Sequence, residues 1–553
     1  MAAVDDLCRS YLDLKWHFNP ADGSLAGAVA HDGRLGSFDA ESMRAHLAAF
    51  RSLAGAAEDL DTAGLQEEID RTALLDDMRT LLFRFEFERP HARNPSFWLT
   101  HVFEGVYALL ARQDGRDGRD GRDGRDGRDG QDGREGLGRW APAMVDRLKA
   151  APAFLDSGRV TLKEPPAVFV DAALGALGGG GELIAQAAGV FGAAAPELAE
   201  ELTAAARGAL EALTRFGRAL GSEILPSDDP HAFAVGEEQF ARRLHHEHAL
   251  RGGAGELWRY GMHLVEETRA AVEAAAREVD SSRPWREVVE RLMTDAPAGD
   301  VLAAYRDEVE RARGFLDQTG LAPLPTVPLD VVPTPSFLAS LVPFAAYAQP
   351  PVELGGPGLF YVTVPNGSAP VRQAAPHCVH QIPSLAAHEA LPGHHLQMTS
   401  AQGLRSEVRR HLWTPVTVEG WALYGETLMY EGGFFRTPEA RLFHLVSLLW
   451  RAARIVLDVG LHTRGLAPSE AVDQLIASMP MERRSAEAEV RRYCAMPTYQ
   501  LSYAVGRREI LLLRDAYRAR AGAGYEARAF HADLLSYGGL PVSLARWGMG
   551  LDE

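Results

Sequence analysis

Residues 387–397 read Ala-His-Glu-Ala-Leu-Pro-Gly-His-His-Leu-Gln. A His-Glu pair followed within one or two turns by further histidine is the pattern of a zinc hydrolase, where two imidazoles bind the metal and the glutamate activates water. The usual spacing, H-E-x-x-H, sets both imidazoles on one helix face, but here the position four after His388 is Pro392. On an undistorted helix His395 would lie about 20° off the face of His388 and about 10 Å further along the axis, and His394 about 120° off. Neither shares a metal with His388 unless the helix is interrupted. Pro392 removes a backbone donor and Gly393 tolerates unusual dihedrals, so a bulge there is expected to return His394 or His395 to His388. A kinked helix with ordinary, satisfied histidines is the competing reading.

A third ligand is sought downstream. Thr417-Val-Glu-Gly-Trp-Ala-Leu-Tyr-Gly-Glu-Thr-Leu428 reads as a helix with Glu419 and Glu426 two turns apart on one face, among apolar neighbours. Buried carboxylates need a partner or a cation. Glu419 is therefore a candidate ligand, and Glu426 a weaker one or an acceptor for an imidazole N–H. A second polar line lies on the helical stretch 444–463, where Arg454, Asp458 and His462 follow one another at intervals of four and Arg451 is close by. On so apolar a helix this line reads as a buried wall, supporting the metal site or binding a substrate carboxylate through an arginine. A structural ion-pair network is the alternative.

The rest of the chain sets the frame. It has 553 residues, 46% hydrophobic, with a formal charge of −18, which excludes a disordered chain and argues against nucleic-acid binding. Three cysteines without paired spacing (Cys8, Cys378, Cys494) predict neither disulfides nor a thiolate zinc site. The charged N-terminus predicts no signal peptide. The apolar runs 337–348 and 167–195 are too short or are interrupted by Asp171 and Glu182, so no membrane span and a cytoplasmic protein are expected. Residues 113–136 form an Asp-Gly-Arg repeat, too charged and proline-free for collagen, read as a flexible surface insertion.

Helical periodicity covers 40–86, 195–222, 236–281, 298–318, 436–464, 468–478, 485–494 and 501–521. The clearest strand is Leu359–Pro365, closed by the turn Asn366-Gly367. A Gly/Pro-rich stretch from 321 to 376 divides an N-terminal helical half (1–320) from a C-terminal half that carries the metal motifs (321–553). Both are expected to form one cooperative body.

The His-Glu-Ala-Leu-Pro-Gly-His-His-Leu-Gln and Glu-Gly-Trp-Ala-Leu-Tyr-Gly-Glu runs resemble the bacterial family called domain of unknown function 885, a relative of gluzincin-type metallopeptidases. Asn94-Pro95 and Gly236-Glu-Glu-Gln-Phe240 also look like its pattern, and the resemblance covers most of the chain. It implies a mostly α, large helical zincin-like fold with a small β element beside a central cleft. Gly393-His394 is similar to the ending of the H-E-x-G-H motifs of thimet oligopeptidase and Taq-type carboxypeptidases. That likeness implies a Zn2+ ion on His388, His394 and Glu419, with His395 the alternate ligand and Glu389 the general base. Met496-Pro-Thr-Tyr-Gln-Leu-Ser-Tyr503 is similar to the Pro-Thr-Tyr segment of Taq-type carboxypeptidases, which implies Tyr503, or else Tyr499, as an oxyanion donor.

The expected activity is Glu-assisted hydrolysis of peptide or other amide bonds in short substrates, with Phe360–Val364 as an edge strand that aligns them. A non-catalytic metal- or ligand-binding protein is the alternative, as is a metal-dependent enzyme acting on a non-peptide metabolite.

Overall fold

A computed structural model describes residues 2–113, 136–335, 342, 344–364 and 377–551. The Asp-Gly-Arg repeat from 114 to 135 and the Asn366-Gly367 turn lie outside these residues. The fold is mostly α with one small sheet.

Many helices start where local chemistry requires it. Asp39, Asn94, Asp300 and Thr437 each accept a backbone N–H of the first turn that follows. Proline opens the helices Pro95–Leu110, Pro415–Glu431, Pro438–Thr463 and Pro468–Ser478, where its missing N–H costs nothing. Gly320, at φ 62°, ends the helix Val301–Thr319 in the left-handed conformation.

The periodic windows are largely helical, with two breaks. The 40–86 window is two helices, Ala40–Glu58 and Leu65–Phe83, and the 236–281 window divides between His246 and Ala254. Periodicity missed Ala2–Phe18, Pro95–Leu110, Ala141–Thr161 and Ala167–Ala194. Pro95–Leu110 is apolar nearly all round, which leaves no polar face to mark its period. Ala167–Ala194 runs through four consecutive glycines, a tertiary override of propensity. A Cβ on Gly180 would fall inside the Phe103 ring, so the bare backbone is what lets these two helices approach. With its 28 residues this helix is also, by length and composition, apolar enough to cross a membrane, although Asp171 and Glu182 interrupt it; it packs beside Pro95–Leu110 and Ala199–Ala219.

The sheet has three strands, β1 (Leu329–Pro333), β2 (Ala345–Ala348) and β3 (Gly358–Val362), in the order β1-β3-β2. β3 pairs parallel to β1 and antiparallel to β2. This corrects the expectation of an edge strand at Phe360–Val364: β3 is central and buried along its length, and β2 lies at an edge. A run buried on both faces reads the same whether it is central or not.

The largest hydrophobic cluster takes residues from both sequence halves, among them Phe50, Trp98, Phe360 and Trp421. Four buried histidines sit in or beside the apolar interior, and burial pushes each down to about 4: His91, His101, His462 and His531. The unfolded chain protonates them near 6.5 and the folded chain resists until about 4, so the unfolded state binds more protons across that window. Stability should therefore fall as pH drops from about 6.5 to about 4. Urea midpoints measured through this range check it; a midpoint that rises or stays level on acidification would contradict the burial argument.

Candidate metal centre

The 382–402 segment solves the spacing problem by breaking its helix. Ile382–Leu385 runs into a wide π turn, Ala386–Ala390, that carries His388 and Glu389. Leu391 is extended, and a new helix, His394–Gln402, starts after Gly393. The break is thus a full change of helix rather than a bulge within one. A Cβ on Gly393 would lie 1.8 Å from the His388 carbonyl oxygen, so only glycine fits the reversal. Trp421 fastens it by donating its indole N–H to the carbonyl of Pro392 at 2.8 Å. Gly393→Ala should cost at least about 1–3 kcal/mol by overpacking and separate the two histidines. Denaturation midpoint and zinc content together check this; a variant with normal values of both would refute it.

The new helix brings His394 beside His388. Their rings lie 4.9 Å apart at right angles. Glu419, on Pro415–Glu431, projects between them: its Oε2 stands 3.6 Å from His388 Nε2 and 3.5 Å from His394 Nε2. One ligand atom from each of the three residues lies within 4.8 Å of the others, and all three residues are buried. Glu419 Oε2 is inaccessible to solvent and has no hydrogen-bond partner, an expensive state for a carboxylate oxygen. Two imidazoles and one carboxylate converging on such an oxygen fit a divalent zinc ion. His395 turns elsewhere: it bonds to the Tyr347 hydroxyl through Nδ1 and donates to the Val327 carbonyl through Nε2.

Glu426 performs the orienting role. It accepts from His388 Nδ1 at 2.8 Å and from Ser384 at 2.5 Å, which presents His388 Nε2 to Glu419. His444 and Arg451 approach the same carboxylate at 3.4 and 3.6 Å. Burial opposes ionisation of Glu426, but Arg451, His388 and His444 outweigh it and hold its carboxyl well below the usual range. Burial likewise pushes His388 down, yet the neighbouring carboxylates of Glu419 and Glu426 hold it up at about 9. In the absence of a cation the cluster therefore carries a proton that a metal would displace.

Glu389 is half-buried beside this cluster. Its Oε2 accepts the backbone N–H of Tyr347 at 2.9 Å, so β2 positions the carboxylate. Tyr499 donates to Glu419 Oε1 at 2.7 Å. The Tyr503 ring stacks over His388 at 6.2 Å, with Arg454 over its other neighbourhood at 4.9 Å and Arg451 at 5.9 Å. The close crossing of Gly420 and Gly506, where either Cβ would collide with the opposite backbone, brings the tyrosine segment to the glutamates.

The polar line of helix Pro438–Thr463 divides by role. Arg451 and Arg454 face the site, and Arg454 donates to the Tyr493 hydroxyl and to Glu489 at 3.1 and 3.3 Å. Asp458 instead accepts the backbone N–H groups of Thr498 and Leu501, both at 3.2 Å, and so shapes the loop that holds Tyr499. His462 bonds to the Tyr493 carbonyl at 3.0 Å. Sequence reading missed Tyr347, Ser384, His444 and His248. Ser384 carried a faint signal, lying one turn before His388; the others arrive from distant segments.

A mostly helical protein with a His/His/Glu cluster beside a further carboxylate is the class that fold and site define. The chain belongs to the family described as "Bacterial protein of unknown function (DUF885)", whose model matches residues 20–549. Its fold is similar to that of a "putative lipoprotein of unknown function" from Shewanella oneidensis, with a TM-score of 0.77, 20% identity and 98% coverage of each chain. It is also similar to a "putative lipoprotein" from Colwellia psychrerythraea, with a TM-score of 0.76 and 16% identity over 100% of this chain and 99% of the other. No curated protein matches.

Proposed function

We propose that this chain is a zinc-dependent hydrolase of peptide or other amide bonds in short substrates. The observation that carries the reading is the buried, unpartnered Glu419 Oε2 facing two imidazole nitrogens at 3.5 and 3.6 Å. His388, His394 and Glu419 would hold the ion, which when bound supplies the positive charge that polarises a carbonyl and acidifies water.

The chain's own groups would divide the remaining work. Glu389, fixed by Tyr347 N–H and half-open to the site, takes a proton from the attacking water and passes it to the leaving amine. Tyr503 is the donor candidate for the oxyanion, because its ring overlies His388 and its hydroxyl makes no hydrogen bond among the described residues. Tyr499 is already committed to Glu419 and keeps that carboxylate in place. The edge strand β2 offers main-chain groups to an extended substrate, a role transferred from β3. Arg451 and Arg454 present cationic groups beside Tyr503, suited to a substrate carboxylate.

Metal analysis of the full chain together with turnover on a peptide and amide panel tests the reading. Stoichiometric zinc with turnover that a chelator abolishes is expected. Zinc without turnover would favour a binding protein, and failure to retain any divalent metal would overturn the site.

A further inference from the structure

The N-terminal half encloses a cavity of about 510 Å3 that the histidine–glutamate cluster does not use. Helices Ala2–Phe18, Leu65–Phe83 and Pro95–Leu110 contribute its walls, and Met496 and Pro497 line it from the C-terminal half. The volume is that of a small-molecule site.

Most of the charges in the lining are already matched. Lys15 donates to Asp77 at 2.9 Å, and Arg243 clasps Glu88 with two N–H groups. Arg93 donates to the Ala232 carbonyl, and Arg84 is exposed. Two carboxylates remain, Asp22 and Glu104: neither makes an ion pair among the described residues, although Lys15, the likewise unpaired Arg84 and Asn19 all act on Asp22.

Three neutral groups in the lining also have a polar atom without a partner. His101 is only 8% exposed, and its Nδ1 donates to the Phe97 carbonyl at 2.7 Å. Its Nε2 is therefore a lone pair, and no donor among the described residues meets it. Asn19 Oδ1 and Thr80 Oγ1 are buried without any hydrogen-bond partner. Around them stand the rings of Phe18, Phe85 and Phe97, with the first two centred 4.7 Å apart. Two carboxylates outside any ion pair, the His101 lone pair, the unpartnered Asn19 Oδ1 and aromatic faces together describe a site for a cation that carries N–H groups.

We propose that this cavity binds a small organic ammonium group, with Glu104, Asp22 and His101 Nε2 accepting its N–H bonds and the phenylalanine rings covering its carbon skeleton. Burial and the neighbouring Asp22 push Glu104 up to about 7, a cost that a bound cation offsets. The ammonium belongs either to a free alkylamine or to the amino end of a short peptide. The assignment is independent of the metal centre.

Calorimetric titration of the full-length chain carrying Glu389→Gln tests it with n-pentylamine, n-pentanol, trialanine and N-acetyl-trialanine. Binding of the amine but not the alcohol identifies a free-amine site, and binding of trialanine but not its acetylated form identifies a peptide terminus. Either result supports the proposal if Glu104→Gln and Asp22→Asn each weaken it at least tenfold. Glu104→Gln keeps the side-chain shape and removes an unpaired charge, so its melting temperature should be unchanged or higher. If neither amine binds at millimolar concentration, or binding is undiminished in both variants, the proposal is overturned. None of these readouts requires zinc or turnover.

Discussion

Glu389→Gln should lower turnover on a peptide panel by roughly a hundred- to ten-thousand-fold while zinc content and fold stay unchanged. The glutamine retains a carbonyl oxygen for the Tyr347 N–H, so the turn that carries His388 keeps its tether. It loses the ability to accept and return a proton, which is the function assigned to this carboxylate. Glu389 also lies outside the three-residue cluster, so its loss should not release metal. Parallel measurement of kcat and bound zinc separates the outcomes. Unchanged kcat would remove Glu389 from the mechanism, and lost zinc would make it a ligand or a structural group instead.

A larger structural effect is expected at Glu426. It is 1% exposed and has His388, Ser384, His444 and Arg451 around it. Glu426→Ala would leave these donors without their acceptor, and breaking a buried charge cluster from one side costs about 3–5 kcal/mol. His388 would also lose the bond that fixes its ring, for which a roughly 10–100-fold fall in metal affinity is typical. Glu426→Gln, which keeps one acceptor oxygen, should fall between the two. Chemical denaturation with and without chelator, alongside a zinc competition titration, checks both effects. If Glu426→Ala kept wild-type stability and affinity, the orienting role would be refuted.

The residues of the site were legible because their chemistry is local. His388, Glu389 and His394 fall within seven positions, and Glu419 and Glu426 share one helix face. Which histidine joins His388 was less legible, since the answer depends on a backbone reversal that spacing arithmetic on a single helix does not describe. Pro392 and Gly393 marked its position, but its closure depends on Trp421 from another helix. The stripe on Pro438–Thr463 reads equally as a cleft wall or a structural network, because periodicity reports a face and not what covers it. Asp458 and His462 in fact meet the 493–501 segment. β2 left no sequence signal: Ala-Ala-Tyr-Ala does not alternate, and its importance comes from one backbone N–H aimed at Glu389.

His248 lies in the N-terminal half yet bonds to Thr414 at 2.8 Å and Thr498 at 3.0 Å. Thr414 directly precedes the helix that carries Glu419, and Thr498 precedes Tyr499. Arg243, five positions earlier, reaches the Pro497 carbonyl. During synthesis these two side chains leave the ribosome about 250 residues ahead of their last partners. The candidate site is thus completed only once residues 497–503 have been made, when the tyrosine loop closes onto an imidazole made long before it.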